Sequence, residues 1–283
     1  MREFIYGYEI EAVVQEQGNA RLLLVQNGES LMALKTTTTN NDKDRAQFRV
    51  EIECLKQLDH PNIISVLDVF DDPLGFSMPY IVGDMLVDLI ERESLSAQQI
   101  LTITISLFKA LEHTHGKGIL HCDLKPNNVI CTEERIPILL DFGLAQLQSK
   151  RAPLAVGSTQ YMPPEVIDGK GWSTAGEIYA LGLICRDMLE HCQQKDQLDR
   201  VQAVVDLCLQ VETADRPASC SEVLKLLEAS VQSSSECSDE TVGSKNTSQK
   251  NNSSPNVGFS PEQKIIIVLL VLVLIGISLL LFL

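Results

Sequence analysis

The chain has 283 residues, 45% of them hydrophobic, with 38 acidic against 23 basic side chains and a formal net charge of −15. That length holds one large domain or two small ones, and the excess of carboxylates argues against nucleic acid as a partner, because phosphate backbones need clustered Lys and Arg. The eight cysteines (Cys54, Cys122, Cys131, Cys185, Cys192, Cys208, Cys220, Cys237) show no C-x-x-C spacing, so they read as reduced, mostly buried thiols rather than zinc ligands.

The chain starts MREFIYGYEI, without the apolar run of a secretory leader, so residence in the cytosol is expected. Apolar runs at Tyr8–Val14, Arg21–Val25 and Leu31–Lys35 predict strands, the last two joined by a turn at Gln26-Asn27-Gly28. A helix is predicted over 43–58, with Phe48, Ile52 and Leu55 on one face. A second strand pair follows at Ile63–Phe70 and Phe76–Val82. Past Ser96 the period becomes helical, with Ile100, Ile103, Leu107, Ala110 and Leu111 in phase up to His115. A short strand at Pro137–Leu140 precedes helices near Thr174–Glu190, Leu198–Leu209 and Cys220–Leu227. Strands first and helices second predict an α+β fold with two lobes over residues 8–229.

Composition changes after Ala229. Residues 230–264 are mostly Ser, Asn, Thr and Gln with scattered charges, too poor in large apolar side chains to offset the entropy of ordering. They are expected to form a disordered tether with an end-to-end distance of roughly 30 Å. Residues 265–283 carry no charge, and only Gly276 and Ser278 break the apolar run. A helix of that length spans roughly 28 Å, close to the hydrocarbon thickness of a bilayer. A buried core helix is the alternative, but it normally shows a polar stripe. A single C-terminal membrane anchor, with the folded part facing the cytoplasm, is therefore expected.

The chemistry-bearing residues lie in 8–229. His121-Cys122-Asp123-Leu124-Lys125-Pro126-Asn127-Asn128 is followed, after the predicted strand, by Asp141-Phe142-Gly143. Upstream stand Met32-Ala33-Leu34-Lys35, Glu51 on the predicted helix, and Leu58-Asp59-His60-Pro61-Asn62-Ile63-Ile64. Downstream stand Gly157-Ser158-Thr159-Gln160-Tyr161-Met162-Pro163-Pro164-Glu165 and Asp215-Arg216-Pro217. Together, in this order, these segments resemble the protein kinase family over the whole of residues 8–229. The resemblance implies a small β-rich N-terminal lobe and a larger helical C-terminal lobe. It implies transfer of the γ-phosphoryl group of ATP, a reaction catalysed by positioning and charge neutralisation. Lys125-Pro126 after Asp123 is similar to the serine/threonine-type arrangement, so protein Ser and Thr hydroxyls are the implied acceptors.

Residue by residue, the resemblance gives Asp123 the role of orienting the attacking hydroxyl and accepting its proton. Lys125 reaches the transferring phosphate. Asn128 and Asp141 hold Mg²⁺, or Mn²⁺ in its place, through hard oxygen ligands. Lys35 holds the α- and β-phosphates and is paired by a helix carboxylate. Glu51 and Glu53 both sit on that helix; two positions apart they point to different faces, and Glu51 is favoured. Val14 and Leu22 would sandwich adenine. Met78, Tyr80 and Ile81 would form the hinge between lobes, with the Ile81 N–H as donor and Pro79 offering only a carbonyl. Arg216 and Glu165 would form a buried structural pair.

Three departures stand against the pattern. The glycine-rich loop reads Gln15-Glu16-Gln17-Gly18-Asn19-Ala20-Arg21-Leu22, with Gly18 one place late, so a weaker grip on phosphate is expected. Cys122 replaces the Arg that commonly receives a phosphorylated residue of the activation segment, so catalysis without such phosphorylation is expected. Glu177 stands where an Asp usually ties down the catalytic-loop backbone. The poor loop supports a second reading, a membrane-tethered pseudokinase that acts as a binding scaffold. Retention of Lys35, Asp123, Asn128 and Asp141 supports an active enzyme.

Overall fold

The apolar runs at the start of the chain form a six-stranded antiparallel sheet: β1 (Phe4–Ile5), β2 (Tyr8–Gln17), β3 (Ala20–Asn27), β4 (Ser30–Thr37), β5 (Val69–Asp71) and β6 (Leu74–Pro79), in the order β1-β2-β3-β4-β6-β5. The structure, a computed structural model, describes residues 3–28, 30–93, 95–148, 157–194 and 198–235. Side chains alternate between the two faces of a sheet. Leu23, Val25, Met32 and Leu34 therefore share the outer face, where Tyr6, Tyr8, Ile10 and Phe70 pack against them. Lys35 points the other way. Residues directly opposite in neighbouring strands share a face, so Leu22 (opposite Lys35) and Met78 (opposite Ala33) face inward with it.

Helix α1 (Asp42–Leu55) lies against that inner face. Asn41 caps it, its side-chain oxygen accepting the Lys43 N–H at 2.8 Å. Phe48, Ile52 and Leu55 recur at helical spacing and are buried, along with Glu51.

The second lobe contains α2 (Leu86–Glu91), α3 (Ala97–Gly116), α4 (Pro164–Ile167), α5 (Thr174–Glu190), α6 (Asp199–Cys208) and α7 (Cys220–Ser235), with short strands β7 (Gly83–Met85), β8 (Ile119–Leu120), β9 (Val129–Thr132), β10 (Pro137–Leu139) and β11 (Gln146–Leu147). A capping box of Ser96 and Gln99 opens α3, which packs on α5, α7 and β10. One apolar core runs from Phe48 and Leu55 of α1 through Phe142 to α3, α5 and α7. The two-lobed α+β architecture is as the sequence predicts.

Several boundaries differ from the sequence reading. The sheet starts at Phe4 rather than Tyr8, because β1 pairs with the head of β2. Residues 63–68 form no strand. Ile63 makes a single bridge to Leu139, and the Ile64 N–H donates to the Leu139 carbonyl at 3.0 Å, so this apolar run pins the two lobes together. Strand β6 stops at Pro79, which has no N–H to carry the ladder on. Helix α7 continues through Ser235, into the segment expected to be a tether, because no Pro or Gly interrupts it. The remainder of 230–264 and the membrane helix expected at 265–283 lie outside the described residues. Among the described residues, no helix is long and apolar enough to cross a membrane. The cysteines from Cys54 to Cys220 are buried and in no disulfide; Cys237 lies outside the description.

Candidate active site

A cleft of about 500 Å³ opens between the lobes, lined among others by Asn19, Lys35, Thr37, Asp44, Gln47, Glu51, Asp123, Asp141 and Gly143. Lys35, near the end of β4, places Nζ 2.6 Å from Glu51 Oε1 and 2.7 Å from Asp141 Oδ1. Glu51 is 2% exposed, whereas Glu53 faces solvent. Burial works against the charge on Lys35, but the two carboxylates outweigh it and hold the ammonium above its ordinary range.

The turn from β8 to β9 carries the second cluster. His121 is buried. Its Nδ1 accepts the Asp123 N–H at 3.2 Å, so Nε2 carries the proton and donates to the Leu140 carbonyl at 2.9 Å. Its ring lies 4.6 Å from that of Phe142, which is itself buried, so the Asp141 turn is locked onto the catalytic turn. Cys122 and Asp141 both have left-handed backbones (φ +63° and +53°), strained for residues other than glycine.

Asp123 is held from three sides. Lys125 Nζ donates to Oδ2 at 2.7 Å, and Asn128 Nδ2 to the same oxygen at 3.0 Å and to the Asp123 carbonyl at 2.8 Å. The Ser158 N–H and hydroxyl donate to Oδ1 at 3.0 and 3.1 Å. Burial alone would raise the Asp123 carboxyl, but hydrogen bonds and charge from Lys125, then Ser158 and Asn128, pull it below its usual value. Asp141 is similar: burial opposes its charge, while Lys35 and the Gly143 N–H hold it low.

Glu177, on α5, is 0% exposed. One oxygen accepts the Cys122 N–H at 2.8 Å and the other pairs with His115 Nε2 at 2.8 Å. The carboxylate thus ties α5, α3 and the catalytic turn together. The Cys122 thiol is fully buried, and burial plus Glu177 push its pKa up, so it stays protonated. Arg216 grips Glu165 through two parallel bonds of 2.7 and 2.8 Å, as the sequence reading anticipates.

A family profile described as the protein kinase domain matches residues 16–240. The chain belongs to the protein kinase family. It is 31% identical over 205 residues to the serine/threonine-protein kinase pkn3 of Myxococcus xanthus, covering 65% of this chain and 38% of that protein. It is 32% identical over 191 residues to the DNA damage-responsive serine/threonine-protein kinase RqkA of Deinococcus radiodurans, covering 62% and 29%. Myosin light chain kinase family member 4 of Homo sapiens is 32% identical over 167 residues, covering 56% and 43%. The chain therefore spans less than half the length of these relatives.

Within this kinase domain the oxygen donors fit a hard cation. Asn128 commits its amide nitrogen to Asp123, which leaves its Oδ1 for a metal. The Asp141 side chain is 50% exposed and lines the cleft, with Oδ1 bound to Lys35 and the Gly143 N–H, which leaves its second oxygen for a metal. Lys35, Glu51, Asp123 and Asp141 are gathered in one cleft, and Lys125 and Asn128 are bonded to Asp123. Val14, Leu22, Met78, Tyr80 and Ile81 stand outside this lining. Leu22 and Met78 face inward from the sheet, Val14 occupies a bulge between Val13 and Gln15 at 43% exposure, and Ile81 lines a separate cleft behind the hinge.

The β2–β3 hairpin shows what its lone glycine does. Strand pairing runs to Gln17 and Ala20, leaving Gly18-Asn19 as a two-residue loop. Gly18 has φ +59°, the conformation such a loop demands at its first position. The Asn19 carbonyl accepts the Thr38 N–H at 2.9 Å and the Thr37 hydroxyl at 3.1 Å, so the tip is tied to the end of β4. Sequence reasoning missed Asn19, Thr37, Asp44 and Gln47 of the cleft lining; of these, Gln47 reaches the metal-binding turn, its Nε2 donating to the Gly143 carbonyl at 2.9 Å. Its position four residues before Glu51, on the same helix face, was the available signal.

Proposed function

We propose that this chain transfers the γ-phosphoryl group of ATP to Ser and Thr hydroxyls of proteins at a membrane surface. The observation that carries the reading is the bridge of Lys35 between Glu51 and Asp141, together with Asp123 fixed by three neighbours in the same cleft. Such a set holds a phosphate chain and an acceptor hydroxyl in line, which is most of what phosphoryl transfer requires. The low pKa of Asp123 makes it a weak base at neutral pH. It therefore serves chiefly to orient the hydroxyl and to take the proton late, as a loose transition state needs. Lys125, beside it, meets the charge that develops on the transferring group. Mg²⁺ or Mn²⁺ bound by Asp141 and Asn128 would supply charge neutralisation at the phosphates.

Leu22 and Met78 supply an apolar inner face for adenine, Val14 adds to it from the bulge, and the hinge backbone from Pro79 to Ile81 offers it a carbonyl and an N–H. The uncharged run at 265–283 supports membrane attachment through a C-terminal anchor, with the kinase domain facing the cytoplasm. The test is a thermal shift with ATP in the presence and absence of Mg²⁺, alongside autophosphorylation with γ-labelled ATP. Mg²⁺-dependent stabilisation together with label incorporation supports the enzyme. The hairpin without its customary glycines favours the scaffold reading, and neither stabilisation nor label would establish it.

A further inference from the structure

Helix α1 reaches the metal-binding turn by two routes. Glu51 does so through Lys35, whose Nζ continues to Asp141. Gln47, one turn earlier, does so directly through its bond to the Gly143 carbonyl. The same glycine donates its N–H to Asp141 Oδ1 at 3.3 Å, so both polar groups of Gly143 are engaged, one by the helix and one by the metal-binding carboxylate. A Cβ on Gly143 would stand 3.1 Å from Asp141 Oδ1, 3.5 Å from Lys35 Nζ and 3.7 Å from Glu51 Oε2. Helix α1 also packs on β11, just after this turn.

We propose that Gln47 is a positioning residue: a latch that holds α1 on the Asp141–Gly143 turn and so keeps Lys35, Glu51 and Asp141 assembled without a phosphorylated activation segment. The inference rests on the kinase reading above. A charged receiver for phosphate is missing at Cys122, whose thiol is buried and bonded through its backbone to Glu177. The ordering that such a phosphate would supply must come from within the fold, and Gln47 is the side chain of α1 that grips the turn directly. One net hydrogen bond to a backbone carbonyl shifts an equilibrium by roughly threefold to tenfold, enough to change the fraction of molecules with an assembled site.

The test uses the full chain, MgATP and dephosphorylated casein as a general Ser/Thr acceptor. Gln47→Met keeps the length of the side chain and removes the donor; Gln47→Lys restores a donor within the same reach. For Gln47→Met, kcat/KM for MgATP should fall about tenfold, with the KM for casein unchanged and the nucleotide-free Tm within about 2 °C of wild type, because the side chain is exposed. Gln47→Lys should recover to within about threefold. The stabilisation produced by MgATP should follow the same order, which gives a readout independent of turnover. Wild-type behaviour of Gln47→Met, or a Gln47→Lys variant as impaired as Gln47→Met, overturns the latch and leaves the kinase reading intact. A wild-type chain that neither transfers phosphate nor is stabilised by MgATP overturns both.

Discussion

Replacing Glu177 by Asp, the residue the family more often carries at that position, should harm this kinase. The carboxylate is wholly buried and each oxygen has its own partner, the Cys122 N–H and His115 Nε2, both at 2.8 Å. Removing one methylene withdraws it by roughly 1.5 Å, so one of the two bonds must open. Leaving either buried partner unsatisfied costs about 1–3 kcal/mol, and the vacated methylene about 1 kcal/mol more. The expected loss is about 2–4 kcal/mol, or roughly 5–15 °C in Tm for a domain of this size. Activity should fall further than stability, because Cys122 holds φ +63° and its N–H bond to Glu177 is what fixes that strained turn beside Asp123. Thermal denaturation and kcat toward casein, measured where both proteins are folded, check this. Glu177→Gln, which keeps the length and can still accept from Cys122, should lose only about 1 kcal/mol. An Asp variant with wild-type Tm and kcat would refute the argument from reach.

Asp123→Asn should retain MgATP-dependent stabilisation while phosphoryl transfer to casein drops about a hundredfold to ten-thousandfold; equal rates would remove Asp123 from the chemistry. Burial raises the Glu165 carboxyl, but the hydrogen bonds and charge of Arg216 outweigh it, so its folded pKa lies below the ordinary 4.5. That stabilisation is present above 4.5 and is lost as pH falls through the lower folded value, so Glu165→Gln should flatten the pH dependence of Tm as pH falls below 4.5, and an unchanged slope would count against it. Gly83→Ala would drive a Cβ into the Cys131 carbonyl across the β7–β9 ladder; an expected loss of about 3 kcal/mol is read by chemical denaturation, and a neutral substitution would show that the strands can part freely. Phosphatase treatment, or joint replacement of Ser149 (outside the described residues) and Thr159 by Ala, should leave activity within about threefold at fixed protein concentration, whereas a hundredfold loss would show that phosphate drives the switch.

What the sequence made legible follows the physics of each signal. Helices α1, α3 and α5 carry long apolar stripes, and their predicted spans differ from the observed ones by a few residues at most. Strands β7 and β9 went unseen because three or four residues hold too few periods to distinguish alternation from chance. The first part of the run at 63–70 misled because Ile63 and Ile64 meet Leu139 of the second lobe rather than pairing in the sheet, which the chain joins only at Val69. The charged cluster was recognisable from the order of its motifs, and the geometry then separated Glu51 from Glu53. Gln47 left a weaker trace: an exposed glutamine on a helix looks like any solvated side chain until its partner, a backbone carbonyl far along the chain, is in place. Glu177 was legible in its place against the catalytic turn, but its second partner, His115, comes from another helix and left no signal in the sequence.

The two strained residues, Cys122 and Asp141, explain why so much of the hydrogen bonding converges on this cleft. Each left-handed backbone costs on the order of 1–3 kcal/mol, so neither persists unless its surroundings over-determine it. At Cys122 the determinant is a buried carboxylate that takes no part in transfer. At Asp141 it is Lys35 and Gly143, and Lys35 is itself the residue that must meet the phosphates. When nucleotide binds, the Lys35 ammonium has to divide its attention between Asp141 and phosphate oxygens, and a cation on Asp141 would replace the charge that Lys35 gives up. Gly143 then becomes the contact to α1 that does not have to change, with its carbonyl on Gln47. A site arranged this way separates the groups that move with substrate from the groups that keep the turn in place. On the latch proposed above, that separation would let a chain without the usual phosphate receiver hold its catalytic residues in register.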